Sequence, residues 1–168
     1  NPTSLTRTDA TGDVTGSSQV GGLVGTNYLG EVSESYATGT VNASGDYIGG
    51  LVGGQTMGTV SGAYATGNVT GNDNVAGLVG FNAGTVTEAY TTGEVGATAA
   101  SPTDVGGLIG FNSGGSVSDG FWDLNTTGQD TSAGGTGLTT SELKGNESLA
   151  RFTFTNTWGV RTGGEVSY

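Results

Sequence analysis

The sequence predicts an all-β protein, a parallel β-helix (β-solenoid) built from coils of about 28 residues and closed by a C-terminal cap that contains a short helix. Three observations predict this fold. An apolar hexapeptide occurs four times, the copies lie 28, 27 and 30 residues apart, and each copy is followed by the same order of residue types. Periods of about 20 to 50 residues are typical of solenoids and propellers. A propeller is the alternative, but its blades usually need about 40 residues or more.

The hexapeptide is the first element of each coil, and it reads VGGLVG, IGGLVG, VAGLVG and VGGLIG. It has no charge, hydroxyl or nucleophile, so we expect its role to be architectural. Its apolar residues should stack on their equivalents in neighbouring coils, while its glycines allow tight corners and close backbone approach. Strict alternation would turn either the leucine or the next residue outward, whereas a corner between them would bury both. The predicted leucine ladder is Leu23, Leu51, Leu78 and Leu108.

Two further ladders follow the hexapeptide in each coil. An amide column predicts side chains that bond to one another and to turn backbone, as stacked Asn and Gln do in cross-β structures: Asn27, Gln55, Asn82 and Asn112. A valine comes next, and four residues after it an aromatic column predicts stacked, partly buried rings: Tyr36, Tyr64, Tyr90 and Phe121. The phrases YATGTV, YATGNV and YTTGEV then close three of the coils.

One segment of the repeat varies in length. From the closing valine to the next hexapeptide the steps are six, seven, six and ten residues, and the longest passes through GATAASPTD. Insertions at one point of a repeat indicate a loop on one face of the solenoid. The rest of each unit alternates short stretches rich in Val, Ile, Tyr and Thr with turn residues, which predicts strands rather than helices.

The pattern ends after Phe121, so we divide the chain into solenoid repeats over residues 1–120 and a capping segment of the same domain over residues 121–168. A cap is expected because a solenoid must cover its open edge. The run from Thr139 to Glu142 predicts a capping box that starts a short helix, with Leu138 and Leu143 as its hydrophobic staple. RFTFTNTW, from Arg151, alternates like a strand. A flexible linker is the alternative for this whole segment.

Composition excludes several classes of protein. The chain holds 35 glycines, no histidine and no cysteine, and its 15 acidic and 4 basic residues give a net charge of −11. Nucleic acid is a poor partner, because phosphate binding needs clustered Lys and Arg. No apolar run approaches the roughly 20 residues that cross a bilayer, so we predict no transmembrane segment in this fragment. Neither a signal peptide nor a natural start opens the sequence, and we expect the chain to be part of a longer protein.

Catalytic chemistry has few candidates here. Without histidine and cysteine the usual general bases, thiolate nucleophiles and most zinc sites are missing. Carboxylates at one repeat position, Glu34, Glu88 and Asp119, could in principle cleave glycosides, but a solvated face explains them as well. We therefore predict that the protein is not an enzyme and has no catalytic residue and no cofactor. Calcium is the inorganic alternative, with weak candidate ligands in turns: Asp46, Asp73 and Asp123.

Four N-glycosylation sequons occur, each with Ser or Thr two positions after the asparagine: Asn42, Asn68, Asn125 and Asn146. In a secreted chain these asparagines would be glycan acceptors on surface loops. A sequence this rich in Ser, Thr and Asn also supplies sequons by chance.

The repeat carries a family resemblance. GGLVG followed by an Asn, a Val, a Tyr and an ATG closure resembles the GLUG repeat, and FWDLNTTGQDTSAGGTGLTTSELK is similar to the segment that commonly closes arrays of that repeat. The resemblance extends from about Asp9 to Trp158. GLUG arrays occur in large secreted or surface proteins of bacteria and archaea, including filamentous-haemagglutinin-like adhesins and some immunoglobulin A peptidases. The zinc motif of those peptidases contains histidines, which this chain lacks.

The resemblance implies a non-catalytic structural or adhesive segment of a secreted or cell-surface protein, acting in surface attachment or as a stalk. The expected location is extracellular or at the cell surface. The expected partner is a host or cell-surface glycan or protein, or other copies of the chain. A subunit of an extracellular filament is the alternative function, since stacked coils have open ends. A carbohydrate-active β-helix enzyme is a further alternative.

Overall fold

The computed structural model of the protein describes residues 3–145. Within this range the strands, numbered along the chain, are β1 (Ser4–Thr6), β2 (Asp9–Ala10), β3 (Val14–Gly16), β4 (Val20–Gly21), β5 (Val24–Tyr28), β6 (Glu31–Ser33), β7 (Tyr36–Ala37), β8 (Val41–Ala43), β9 (Ile48–Gly49), β10 (Val52–Ala65), β11 (Val69–Gly71), β12 (Val75–Ala76), β13 (Val79–Thr91), β14 (Val95–Ala97), β15 (Val105–Gly106), β16 (Ile109–Asn112), β17 (Ser116–Asp123) and β18 (Thr136–Leu138). There are two short helices, α1 (Leu124–Thr127) between β17 and β18, and α2 (Thr140–Gly145) after β18.

The strands form three parallel sheets, and each coil contributes to all three. Sheet A is the widest and has the central order β1-β6-β10-β13-β17-β18, with β2, β5, β7 and β16 paired alongside. Sheet B stacks β3, β8, β11 and β14, and sheet C stacks β4, β9, β12 and β15. Equivalent residues pair across coils, as in Val52 with Val79 and Tyr64 with Tyr90. The predicted β-solenoid is therefore confirmed, with the hexapeptide running from sheet C into sheet A.

The corner between sheets C and A explains the hexapeptide. The carbonyl oxygen of Leu78 accepts hydrogen bonds from two successive amides of the coil before it, Leu51 N at 3.0 Å and Val52 N at 3.0 Å. Both of those side chains are fully buried, since the backbone turns between them. A Cβ on Gly50 would run into the carbonyl oxygen of Gly77, so glycine allows the coils to approach closely here.

The interior consists of two apolar columns. One lies inside sheet A and includes Leu51, Leu78 and Leu108. The second joins sheets B and C and contains one residue from each strand that reaches it: Val20, Val41, Ile48, Val69, Val75 and Val95. Leu23 is only partly buried and packs against the first column. Because equivalent apolar residues stack on one another, each coil buries the apolar side chains of the next coil.

Among the described residues, two columns of four or five residues adopt the left-handed backbone conformation, with φ between 48° and 64°. The first lies two residues after the valine of each coil, or after its equivalent Leu5, and contains Arg7, Glu34, Gly62, Glu88 and Asp119. The second precedes each hexapeptide and contains Gln19, Tyr47, Asn74 and Asp104. This conformation costs a residue other than glycine roughly 1–2 kcal/mol. Hydrogen bonds between coils hold it in place, for example from Glu34 N to Ser61 O at 3.0 Å.

The cap covers the last coil by imitating the coil that would come next. Ser132 Oγ accepts from Leu108 N at 3.2 Å and Ile109 N at 2.8 Å, which is the role that a leucine carbonyl oxygen plays between the repeats. Thr131 O accepts from Gly107 N at 3.0 Å. Trp122 lies against Gly107, and its Nε1 donates to Gln129 O at 2.9 Å. A segment outside the repeat thus satisfies the open edge of the corner.

The short helix α2 begins at the predicted capping box. Thr139 N donates to Glu142 Oε2 at 2.8 Å, and Glu142 N donates to Thr139 Oγ1 at 3.3 Å. These bonds from Thr139 hold the pKa of the Glu142 carboxyl below its ordinary value. Leu143 is fully buried against Tyr90 and Phe121, with Leu138 packed beside it. The strand predicted from Arg151 and the remainder of the proposed capping segment lie outside the described residues.

Candidate functional site

The amide column forms a continuous chain of side-chain hydrogen bonds through four coils. Asn27 Nδ2 donates to Gln55 Oε1 at 3.1 Å, Gln55 Nε2 to Asn82 Oδ1 at 3.0 Å, and Asn82 Nδ2 to Asn112 Oδ1 at 3.1 Å. Gln55 Nε2 also donates to Thr85 O at 3.0 Å, so the ladder is tied to the adjoining turn. Asn27, Gln55 and Asn82 are buried. A buried ladder whose hydrogen bonds are satisfied in this way fixes the register between successive coils and does not offer a site to a ligand.

The aromatic column lies on the outside of the same sheet. Tyr36 and Tyr64 stack with ring centroids 4.8 Å apart, and Tyr64 and Tyr90 stack at 5.1 Å. Phe121 clusters with Tyr90 under Leu143 of the cap. Burial, then the neighbouring Tyr36 and Asp9, raises the pKa of Tyr64 to about 12. The aromatic column thus ends in a cluster with the cap residue Leu143.

The carboxylates considered for catalysis belong to the first left-handed column. Glu34 is held by Arg7, whose Nε lies 2.6 Å from Glu34 Oε2. Gly62 separates Glu34 from Glu88 in this column, and Asp119 follows in the next coil. Asp119 is exposed, and Glu34 and Glu88 are half-buried. What the residues of this column share is a left-handed backbone conformation and not a chemical type, since the column contains glycine and arginine as well as carboxylates.

The three calcium candidates accept hydrogen bonds from their own surroundings. Asp46 Oδ1 accepts from Asn72 Nδ2 at 3.1 Å, and Asp73 Oδ1 accepts from Thr103 N at 2.7 Å. Asp123 is buried and caps α1 by accepting from Asn125 N at 2.9 Å. Across residues 3–145 no group of three or more His, Cys, Asp or Glu side chains is placed to hold a metal ion. The three aspartates therefore accept hydrogen bonds within turns, and Asp46 and Asp73 share the Nδ2 of Asn72.

Three of the sequons are described, and their asparagines Asn42, Asn68 and Asn125 are all exposed. Asn68 Oδ1 accepts from Glu94 N at 3.1 Å, and Asn125 Oδ1 accepts from Thr140 N at 3.0 Å. The Thr127 hydroxyl of the Asn125 sequon is buried and donates to Asp123 O at 2.7 Å. Asn146 lies outside the described residues. Glycosylation at these positions stays a prediction.

A notch opens on the outer face of sheet A, and nothing in the sequence patterns above pointed to it. Gly54 pairs with Thr26 on one side and with Phe81 on the other, and a Cβ built on Gly54 would meet no atom within 4 Å. The rings of Tyr47 and Phe81 meet edge to face beside it, with centroids 5.4 Å apart and planes at 79°. The notch has a volume of about 210 Å³, and its lining is Gln19, Thr26, Tyr47, Gly54, Thr56 and Phe81.

Sequence reasoning missed the notch for a physical reason. Phe81 and Phe111 occupy the position of Gly54 in the next two coils, and Thr26 occupies it in the coil before, so the signal was a glycine in a column of larger residues. Tyr47 lines the notch from a left-handed backbone position, with φ of 64°. That conformation is not predictable from tyrosine, which rarely adopts it.

Comparison with known proteins gives two matches. Residues 16–42 and 44–70 each match the GLUG motif. A protein of Evansella cellulosilytica whose assigned name describes a Gly-rich membrane protein is 38% identical over 145 residues. That match includes 85% of this chain but only 11% of the relative, so the chain spans a small part of the protein it resembles. No solved structure matches the chain. Among residues 3–145 there is no helix with the length and apolar character that a membrane span requires.

Proposed function

Because this chain is a GLUG-repeat protein, we propose that it is a non-catalytic structural and adhesive β-solenoid segment of a secreted or cell-surface protein. The observation that carries the proposal is the continuity of the ladders. The Leu, amide and aromatic columns run through successive coils towards the cap, so the repeated residues serve to hold the coils rigidly together. A stiff rod with a net charge of −11 suits an exposed stalk that stays soluble. The membrane-protein name of the relative agrees with a location at the cell surface.

An adhesive role requires a partner outside the chain. We expect this partner to be a host or cell-surface glycan or protein. We also expect the outer faces of the sheets to bind it. The test is an array of glycans and surface proteins probed with the purified chain. Reproducible binding to a defined ligand is the expected result. Binding to no glycan or protein, at concentrations far above those on a cell surface, would leave the stalk role and contradict adhesion.

The non-catalytic part of the proposal has its own test. The carboxylates of the first left-handed column are the remaining candidates for glycoside cleavage, and they sit among groups that serve the backbone corner. We expect no turnover of polysaccharides by the purified chain. Robust turnover that disappears in Glu88→Gln, with Glu31→Gln as a matched control, would make the protein an enzyme.

A filament subunit is the second candidate. Parallel coils stacked in this way have strand edges that can pair with another chain. At the C-terminal side of the last coil, Ser132 and Thr131 occupy the amides of the corner, which opposes head-to-tail growth. We expect electron microscopy at high concentration to show discrete particles. Long fibres of constant width would favour the filament instead.

A further inference from the structure

We propose that the notch at Gly54 binds one sugar unit of a neutral pyranose oligosaccharide. The proposal rests on the adhesive role proposed above and names its ligand class and its site. The notch has an unusual shape, since two aromatic rings meet nearly at right angles, at 79°, beside a position without a side chain. A ligand that lies flat on one ring while its edge touches the other fits this corner.

The rings select the chemistry of the ligand. A pyranose with equatorial hydroxyls presents a face of axial C–H groups, which packs on an aromatic face much as other apolar groups do. Phe81 and Tyr47 are each half-exposed, so both rings can be reached from solvent. A volume of about 210 Å³ is below the roughly 300–1,000 Å³ of pockets that enclose drug-sized molecules. One sugar ring of a longer chain therefore suits the notch better than a whole oligosaccharide.

Polar groups stand at the rim, where the hydroxyls of such a sugar would lie. Thr26 Oγ1 donates to Gln19 Oε1 at 3.0 Å, which holds the exposed Gln19 side chain in the lining of the notch. The bond uses the amide oxygen and leaves the Nε2–H donors for a ligand. Thr56 is a second threonine in the lining. A few placed donors over an apolar floor are typical of small-molecule sites.

The charges of the notch and of the whole chain favour a neutral ligand. The six lining residues carry no charge, whereas the chain as a whole carries −11. An anionic sugar would be repelled by the protein and would find no cation in the notch. A cationic ligand would be attracted to the acidic surface but would gain nothing from an uncharged lining. A neutral hexopyranose or pentopyranose chain meets neither problem.

The test is saturation-transfer NMR on the intact chain with four probes: cellotetraose, mannotetraose, xylotetraose and tetragalacturonate. We expect transfer from the aromatic protons to the axial C–H protons of at least one neutral probe, and much weaker transfer to tetragalacturonate. Phe81→Ala should weaken the affinity for that probe about tenfold, as the loss of one aromatic stacking contact would. Gly54→Val keeps both rings but fills the notch, and it should abolish binding.

Tyr28→Ala is the matched control, because Tyr28 is 62% exposed on the same sheet but does not line the notch. It should change the affinity less than twofold, and circular dichroism should show every variant folded. The proposal is overturned if no neutral probe binds, if tetragalacturonate binds as tightly, or if Phe81→Ala and Gly54→Val bind like the parent. Array ligands that both of those variants retain would uphold adhesion while removing the notch as its site.

Discussion

At the scale of the residue, the left-handed columns show how the backbone selects side chains. Gly62 and its equivalents share a φ near 50°, although their side chains range from none to arginine. What these residues have in common is the corner after the buried valine, and only glycine adopts that conformation without cost. Each other residue in the column stores strain that the hydrogen bonds between coils overcome.

This strain can be measured with two opposite substitutions. We expect Gly62→Ala to lower the free energy of unfolding by about 1 kcal/mol, because alanine is disfavoured at φ of 54°. A new Cβ at Gly62 would approach no atom closer than 3.7 Å, so steric overlap does not contribute. Glu88→Gly should leave stability unchanged or raise it by up to about 1 kcal/mol. Chemical denaturation measures both, and a less stable Glu88→Gly would show that the Glu88 side chain outweighs the strain.

Tyr64 provides a test by pH. Its pKa is raised from 10.0 to about 12, so the folded state holds the phenol proton more tightly than the unfolded state does. The sign follows from linkage: this contribution to stability is complete below pH 10 and is lost as the pH rises through about 12. Absorbance titration should show a late-ionising tyrosine that is missing in Tyr64→Phe. The stability of Tyr64→Phe should also fall less over that window, and identical profiles would contradict the prediction.

At the scale of the element, the ladders follow from the sequence and the corners do not. The amide and aromatic columns could be predicted because equivalent residues recur at nearly constant spacing, and parallel strands stack equivalents in register. The burial of both Leu51 and Val52 was left open, because it depends on where the backbone turns. The role of Ser132 could not be predicted, because Ser132 lies outside the repeat. Its hydrogen bonds to Leu108 N and Ile109 N join residues far apart in the sequence, and no local sequence pattern indicates them.

The amide ladder should be costly to interrupt. Gln55→Leu removes the acceptor of Asn27 Nδ2 and the donor to Asn82 Oδ1, and leaves both buried amides short of partners. We expect a loss of about 1–3 kcal/mol in the free energy of unfolding. Asn112→Leu, at the less buried end of the ladder, is the matched control and should cost less. Equal losses would mean that the ladder does not act as a continuous element.

The corner of the cap has a similar test. Ser132→Ala leaves Leu108 N and Ile109 N without their acceptor, so we expect a loss of about 1–3 kcal/mol. Amide hydrogen exchange should rise first at those two positions and spread to the coil before them. Ser113→Ala, an exposed serine in the same coil, should leave exchange unchanged. Unaltered protection of Leu108 and Ile109 in Ser132→Ala would show that the Ser132 hydroxyl does not protect this edge.

At the scale of the whole molecule, the cap covers the last coil of the stack. That coil lies under Trp122, Ser132 and Leu143. Unpaired strand edges pair with other chains unless something covers them. The cap therefore opposes association at this edge of the rod.

Removal of the cap should change the state of association. A chain that ends at residue 120 loses the partners of Leu108 N and Ile109 N, together with Trp122. We expect it to form dimers and larger species in light scattering, because the uncovered coil is a template for pairing. A chain that ends at residue 145 keeps every cap contact named above and should behave like the full chain. A monomeric, folded 1–120 fragment would show that the edge needs no cover.

The corner hydrogen bonds have a genetic consequence. The carbonyl oxygens of Leu51, Leu78 and Leu108 each accept hydrogen bonds from the equivalent two amides of the preceding coil. A duplicated coil would therefore make the same hydrogen bonds with its neighbours as the original coil does. An in-frame tandem duplication of the DNA for one coil, for instance residues 51–77, would lengthen the rod by roughly 4.8 Å without a new kind of contact. Unequal crossing-over between such repeats would then give alleles that differ in reach but keep the same end.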